Sequence, residues 1–326
     1  NFKSFANEDN VFFITPSATG DAIPEFANGY QMCFADSNQG TAAAKFFNEN
    51  YKGKKVGIFY KSDDEYSVGI NNNFKAALDS SFTVTEASFA GEASTFDSQI
   101  QLLKNCEVVF MPIYYTPASQ FMSQANSVEN SIAVYYGCDG FDGIDNIDGF
   151  DITTIPQKVT MLSHFNSKAT EGMAKEFIDK YVSKYGADTL NQFGASAYDC
   201  IYAIFGAMKA AIDAGEKIDV TISASDLCDI LKAQFDGGFT FTNGATGDSI
   251  KWESNGYVNK LGLLGYVCNS IVVCCLLIKL SSDRLHLDSG SLAGLCCVCS
   301  NRTSLNTEST SHTVHRRYCH SELVLG

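Results

Sequence analysis

The chain has 326 residues, of which 45% are apolar and 18% are charged. It is therefore long enough for two domains of ordinary size and too apolar for a disordered chain. Its 23 basic and 37 acidic residues give a formal net charge of −14, which excludes a nucleic-acid-binding protein that relies on basic patches.

The composition changes abruptly near residue 260. Residues 1–260 contain 18 Lys, no Arg, 33 acidic residues, all 24 Phe and the only Trp. Residues 261–326 contain one Lys, all four Arg, no Phe, seven of the twelve Cys and four of the five His. We therefore take these parts as two different kinds of sequence and derive the fold from residues 1–260.

The first part alternates short apolar runs with amphipathic segments. The apolar runs predict strands at 11–15, 55–60, 82–89, 108–112 and 132–136. The segments between them predict helices at 40–51, 62–78, 96–105 and 117–127, with Ser62 capping the second. This alternation is typical of an α/β fold with a parallel sheet covered by helices on both faces.

The pattern changes after residue 157. A strand is predicted at 158–164, and the helices that follow are predicted at 170–185, 190–214 and 225–233. Short β segments with Gly and Asn turns are predicted over 237–257. The inward side of the first helix is expected to carry Met173, Phe177, Ile178, Tyr181, Val182 and Tyr185.

Polar or aromatic residues follow four of the predicted strands. They lie at 16–20, 62–66, 114–117 and 137–143. The carboxyl ends of parallel strands meet at one edge of the sheet, where ligands bind in such folds. Each segment alone reads more readily as a turn, a helix cap or rim packing, but the four together predict a ligand site.

Seven sequence blocks carry a resemblance to a known family. They are TPSATGD (15–21), SNQGTAAAKFF (37–47), KKVGIFYKSDDEYSVG (54–69), FMPIYYTPASQ (110–120), YYGCDGFDG (135–143), ASAYDCIYA (195–203) and GATGDSIKWESNGYVNK (244–260). In order and spacing they resemble periplasmic binding proteins of the branched-chain amino-acid type, the solute receptors of ABC importers. No single block is specific, and the resemblance ends near Lys260.

The resemblance implies a type I periplasmic-binding-protein fold with two α/β lobes and doubly wound parallel sheets. Residues 1–35 and 165–236 would form lobe one, and residues 36–164 and 237–260 would form lobe two. Members of the family carry further strands ahead of a stretch like residues 1–14. We therefore expect lobe one to be incomplete, with the 11–15 strand at an edge and apolar helix faces uncovered.

The resemblance also implies the site. The carboxylate and the ammonium of an amino acid would meet the loop at Ser17, Ala18 and Thr19, Asp139 would pair with the ammonium, and Tyr66 and Tyr115 would close over the ligand. It implies no catalytic residue, no cofactor and no metal. The partners would be the amino-acid ligand and an ABC permease and ATPase in the membrane, not a nucleic acid.

The same resemblance places the protein outside the cytoplasm, in the periplasm or as a lipoprotein on the outer face of the cytoplasmic membrane. The amino acid delivered would be a branched-chain or similarly small one. Relatives that take amides and other small polar solutes leave the ligand open.

The tail from residue 261 has several interpretations. Residues 261–280 are almost uninterrupted in apolar character, so they form a candidate transmembrane helix. A frameshifted or chimeric tail explains the abrupt change in composition better. A metal site built from the tail cysteines and histidines is a weaker alternative, because CCVC is not a typical ligand spacing.

Two other functions remain open at this point. A ligand-sensing ectodomain of a membrane-anchored receptor would use the same lobes and the 261–280 segment as its link. An enzyme on a doubly wound sheet is disfavoured, because the sequence contains no GxSxG, P-loop, GxGxxG or HExxH motif. His164 is the only histidine before residue 286 and is expected to be structural.

Overall fold

The computed structural model describes the backbone of residues 2–268 and 271–280, with side chains described over 2–260. Helix α1 (Phe2–Glu8) precedes strand β1 (Phe13–Thr15), which pairs in parallel with β2 (Gly29–Gln31). Among the described residues, β1 has no other strand partner. The sequence analysis missed α1 and β2, because elements of seven and three residues are too short to show a period.

A parallel sheet forms the centre of the described chain. Its strands are β3 (Lys55–Lys61), β4 (Thr83–Phe89), β5 (Val108–Met111), β6 (Val134–Gly137) and β7 (Lys158–Ser163), in the order β4-β3-β5-β6-β7. The helices that precede or connect them are α2 (Asp36–Asn50), α3 (Glu65–Ala77), α4 (Asp97–Leu103) and α5 (Tyr115–Ala125). The predicted α/β fold is confirmed, since all four neighbouring strand pairs are parallel.

Successive side chains of each strand enter two different cores. On β3, Val56 and Ile58 pack in one core and Phe59 packs in the other. On β6, Tyr136 packs in the same core as Val56, and Tyr135 packs in the same core as Phe59. Strands β3, β5, β6 and β7 are therefore mostly buried on both faces, which is why they appear in the sequence as continuous apolar runs. The edge strand β4 is buried only at Ala87 and Phe89.

Two local predictions on the helices are wrong. Ser62 does not cap α3; its hydroxyl donates to the Phe89 carbonyl at 3.0 Å, and Asp64 occupies the cap position without a side-chain cap. Helix α2 begins at Asp36 rather than at Gly40, four residues earlier than predicted.

The second half contains α6 (Gly172–Tyr185), α7 (Gln192–Asp213), α8 (Ala224–Asp236), β8 (Thr240–Gly244) and β9 (Gly247–Trp252). Of the α6 residues expected to face inward, only Phe177 is buried, and Tyr185 is exposed. Helix α7 exposes a row of large apolar side chains, namely Ile201, Tyr202, Phe205 and Ile212. These side chains are exposed within the described chain, and the incompleteness of lobe one stays a prediction.

The apolar segment after residue 260 forms strands. Strand β10 (Val258–Cys268) pairs antiparallel with β9 and β7, and β11 (Ile271–Leu280) pairs antiparallel with β10. The interpretation of residues 261–280 as a transmembrane helix is therefore wrong. Within the described residues, no helix is both long and apolar enough to cross a membrane. The remainder of the predicted anomalous tail, residues 281–326, lies outside the described residues.

The turn between β8 and β9 is held against α7 by buried hydrogen bonds. Asp199 on α7 accepts hydrogen bonds from the backbone N–H groups of Ala245 and Thr246, each at 2.7 Å, and from the Thr246 hydroxyl. The ammonium of Lys260, which is also buried, donates to that hydroxyl at 2.7 Å. This packing joins residues 237–260 to helices that we assigned to lobe one, and the exact lobe boundaries stay a prediction.

Candidate ligand-binding site

A cavity of about 530 Å³ lies beside the loop that follows β1. Of the predicted site residues, Ser17, Ala18, Thr19 and Tyr66 line it. The other lining residues are Phe2, Lys3, Phe13, Thr15, Gly20, Ala22, Ile23, Asp36, Glu65 and Tyr114. The structure therefore brings together the segments that follow β1 and β3 and the residue before α5, although β1 belongs to a two-stranded sheet separate from the one that contains β3.

The loop from Thr15 to Gly20 is held by hydrogen bonds to the side chains of Thr15 and Gln31. The Thr15 hydroxyl oxygen accepts from the N–H of Ala18 at 3.0 Å. The side-chain amide of Gln31, which is fully buried, donates to the carbonyls of Ala18 at 2.9 Å and Gly20 at 3.2 Å. These bonds fix the loop conformation before any ligand arrives and leave the exposed Ser17 side chain at the cavity.

Gln31 is itself fixed by Trp252. The indole N–H of Trp252 donates to the backbone carbonyl of Gln31 at 2.8 Å, and both side chains are buried. The residues are 221 positions apart in the sequence. The C-terminal β segment therefore supports the loop that lines the cavity.

Two stacked tyrosines form one wall of the cavity. The rings of Tyr66 and Tyr114 lie 4.8 Å apart between centroids and are nearly parallel. Tyr115, which we predicted to close over the ligand, is 40% exposed at the start of α5 and does not line the cavity. The preceding residue, Tyr114, takes that place; it is the N-cap of α5 and has an extended backbone, whereas Tyr115 is the first residue of the helix.

Asp139 lies behind Tyr66 rather than at the cavity surface. Its Oδ1 accepts from the Tyr66 hydroxyl at 2.7 Å, and the same hydroxyl accepts from the N–H of Gly140 at 3.0 Å. Asp139 is buried, and burial raises the pKa of its carboxyl. Burial and the neighbouring Asp139 raise the pKa of Tyr66 well above its usual value, so Tyr66 remains a donor.

Asp36 is a site residue that the sequence analysis missed. It lines the cavity although only 2% of it is exposed, and its N–H donates to the Thr19 carbonyl at 2.9 Å. The Thr19 side chain hydrogen-bonds the Asp36 carboxyl, whereas Oδ1 has no hydrogen-bond partner among the described residues. Burial raises the pKa of Asp36 to about 7. The signal that could have identified it is an acidic residue at the start of α2. The sequence analysis missed it because it placed the start of this helix at residue 40.

The cavity lining offers hydroxyl, carboxyl and aromatic groups. No cluster of three or more His, Cys, Asp or Glu side chains suited to a metal occurs in the part of the chain that the structure describes. His164 is buried against Phe34, and burial lowers its pKa well below the usual value. It lies apart from the cavity-lining residues, as expected for a structural histidine.

This combination of fold and cavity is that of a solute-binding protein. A profile of the periplasmic binding protein family matches residues 2–241, which is most of the chain. The protein therefore belongs to the periplasmic binding protein family. No curated protein sequence matches the chain significantly.

Solved structures agree with this fold. The leucine-binding protein LivK from Thermotoga maritima has a TM-score of 0.71 and 23% identity, over 85% of this chain and 75% of that chain. The branched-chain amino-acid binding protein LivJ from Streptococcus pneumoniae, in complex with isoleucine, has a TM-score of 0.71 and 22% identity over the same shares. A solute-binding protein from R. palustris, in complex with benzoate, has a TM-score of 0.69 and 15% identity, over 84% and 72%.

Proposed function

We propose that this protein is the extracytoplasmic substrate-binding component of an ABC importer and that it delivers a small amino acid. The observation that carries the proposal is the cavity itself, in which the Ser17–Thr19 loop faces Tyr66 and Tyr114. Hydroxyl groups and backbone N–H groups suit a carboxylate, and stacked aromatic rings suit an apolar side chain. The permease and the ATPase would be its partners in the membrane.

The choice of an amino acid over another carboxylate rests on charge. Two of the described cavity-lining residues, Asp36 and Glu65, are acidic. The only basic one among them, Lys3, is paired with Glu25 at 2.6 Å. A ligand that carries an ammonium as well as a carboxylate complements this surface, whereas a simple carboxylate does not. Similar solved structures contain isoleucine or benzoate, so a comparison of these two ligands tests whether this protein requires the ammonium group.

The membrane-anchored receptor is not our proposal. It depended on a helix over residues 261–280, and the structure has strands there. We propose binding without conversion, in agreement with a family of binding proteins.

Isothermal titration calorimetry of the 326-residue chain tests the proposal. Isoleucine, leucine, benzoate and glucose are titrated separately, and each recovered ligand is analysed by mass spectrometry. We expect saturable binding of an amino acid with unchanged ligand. Binding of glucose alone, or chemical conversion of the ligand, would contradict the proposed function.

A further inference from the structure

The turn between β9 and β10, residues 253–257, contacts the cavity loop from outside the cavity. The hydroxyl of Tyr257 donates to the backbone carbonyl of Asp21 at 2.7 Å, although the two residues are 236 positions apart. Asp21 directly follows Gly20, which lines the cavity, whereas Tyr257 is not among the lining residues. The Tyr257 hydroxyl therefore holds the end of the loop without facing a bound solute.

Asp21 also connects the loop to the first turn of α2. Its Oδ1 accepts from the backbone N–H of Ser37 at 3.3 Å and from the Ser37 hydroxyl. Tyr257 and α2 therefore hold the same residue, the first through its backbone carbonyl and the second through its side chain. The end of the cavity loop is fixed on two sides as a result.

The turn is closed by its own hydrogen bonds and packs closely against β2. The N–H of Gly256 donates to the Glu253 carbonyl at 2.8 Å, and the N–H of Glu253 donates to the Tyr257 carbonyl at 3.0 Å. Gly256 has a φ of +81°, and a Cβ there would overlap the carbonyl oxygen of Gly29. The Gly256 carbonyl accepts from the N–H of Gln31 at 3.0 Å. The turn is therefore a firm support for the Tyr257 side chain.

The same turn connects two sheets. Strands β1 and β2 form the small sheet, whose cavity loop follows β1, and no described strand pairs this sheet with the central one. Strand β10 continues from the turn and pairs with β7 of the central sheet, which also contains β3, the strand before Tyr66. Residues from both parts line the cavity, so its shape depends on contacts between them.

We infer that Tyr257 is a positioning residue for solute binding, which acts through Asp21 by holding the cavity loop in its binding position. This inference rests on the proposed function. A loop that is ordered before the ligand arrives avoids the loss of conformational entropy on binding. Without the Tyr257 hydroxyl, the ordering of the loop offsets part of the interaction free energy. The affinity then falls although no contact with the solute is lost.

The test removes the hydroxyl and keeps the ring. Isoleucine and leucine are titrated by calorimetry into the wild-type chain, Tyr257→Phe and Tyr181→Phe. Tyr181 is the matched control, because it is also half-buried and its hydroxyl also donates to a backbone carbonyl, that of Thr189 at 3.1 Å. Neither Tyr181 nor Thr189 lines the cavity. Urea denaturation measures the stability of each variant separately.

We expect Tyr257→Phe to weaken amino-acid binding by about fivefold, the effect of about one lost hydrogen bond, and Tyr181→Phe to change it by less than about twofold. A merely structural role of Tyr257 would lower the urea midpoint and leave the affinity unchanged. An affinity of Tyr257→Phe within about twofold of wild type overturns the inference and leaves the proposed function intact. Equal weakening in both variants also overturns it. Wild type that binds neither amino acid contradicts the proposed function as well.

Hydrogen–deuterium exchange of the unaltered chain decides the matter if Tyr257→Phe does not fold. Peptides that cover residues 15–23 and 253–257 are followed by mass spectrometry with and without saturating isoleucine. Both should exchange more slowly in the presence of the ligand, because a loop that the ligand holds also holds the turn that is bonded to it. Slower exchange in the loop alone overturns the role of Tyr257.

Discussion

The hydroxyl of Tyr66 donates to Oδ1 of Asp139 across 2.7 Å, although the two residues are 73 positions apart. This buried bond links the start of α3 to the turn after β6. Because the ring of Tyr66 forms part of the cavity wall, the position of that wall depends on a carboxylate that lies behind it. Residues outside the cavity lining can therefore affect ligand binding.

Tyr66→Phe should destabilise the fold by about 1–3 kcal/mol, because it leaves the Asp139 carboxyl and the N–H of Gly140 without their common partner. Urea denaturation followed by circular dichroism measures the change. Tyr114→Phe is the matched control, since Tyr114 contributes its ring to the same stack but is 48% exposed. Equal changes in the two variants would show that the hydroxyl of Tyr66 contributes nothing.

The affinity for isoleucine should depend on pH through Asp36. Its pKa is raised to about 7, mainly by burial, and an ammonium binds only the ionised form. Lowering the pH from 8 to 6 protonates the free carboxyl, so the affinity should fall by about tenfold. Titratable groups that act on or near Asp36 are Asp21, Glu65, Tyr114, Cys138 and Asp139. Calorimetry at both pH values should show this loss in wild type, and a loss of the same size in Asp36→Asn would assign it to a neighbour.

Asp199→Ala should destabilise the protein by about 3 kcal/mol. It removes the acceptor of two backbone N–H groups and of the Thr246 hydroxyl, and it leaves the buried Lys260 ammonium without a neighbouring negative charge. The double variant Asp199→Ala with Lys260→Met should recover part of the loss. Thermal and urea denaturation of the single and double variants give the coupling free energy, and strict additivity would contradict an interaction between the two side chains.

The exposed row on α7 should cause the chain to self-associate. Ile201 and Phe205 are 66% and 64% exposed, and exposed apolar patches of this kind promote association. Replacing both with Gln should shift the chain toward monomer in sedimentation velocity without lowering its melting temperature. Val220→Gln is the control, because that side chain is fully exposed but lies outside α7. A chain that is already monomeric as wild type would contradict the prediction.

Local sequence patterns predicted the central sheet because its buried strands are short apolar runs in the sequence. The runs at 55–60 and 108–112 became β3 and β5, since strands buried on both faces need apolar residues at every position. The run at 261–280 shows the limit of the same rule. A long apolar run does not by itself distinguish a helix from strands, and here the run pairs with β7 and forms the β10–β11 pair.

The candidate site was predictable to a smaller extent. Ser17, Thr19 and Tyr66 follow strands and line one cavity, as predicted, but β1 lies outside the sheet that contains β3, so a common sheet edge is not what brings them together. The choice of Tyr114 over Tyr115 depends on where α5 begins, which local sequence patterns do not fix to one residue. Asp36 depended on the first turn of α2, and helix boundaries are the least predictable part of a helix.

The hydrogen bond from Trp252 to Gln31 gives the protein a built-in optical reporter. Trp252 is the only tryptophan in the chain, and Gln31 holds the carbonyls of Ala18 and Gly20. The Gln31 side-chain amide is bonded to the loop and its backbone carbonyl to the indole, so we expect a movement of the loop on ligand uptake to change the surroundings of the indole ring. Its emission wavelength and intensity would follow loading of the cavity in real time, without a dye or an added label, in stopped-flow mixing.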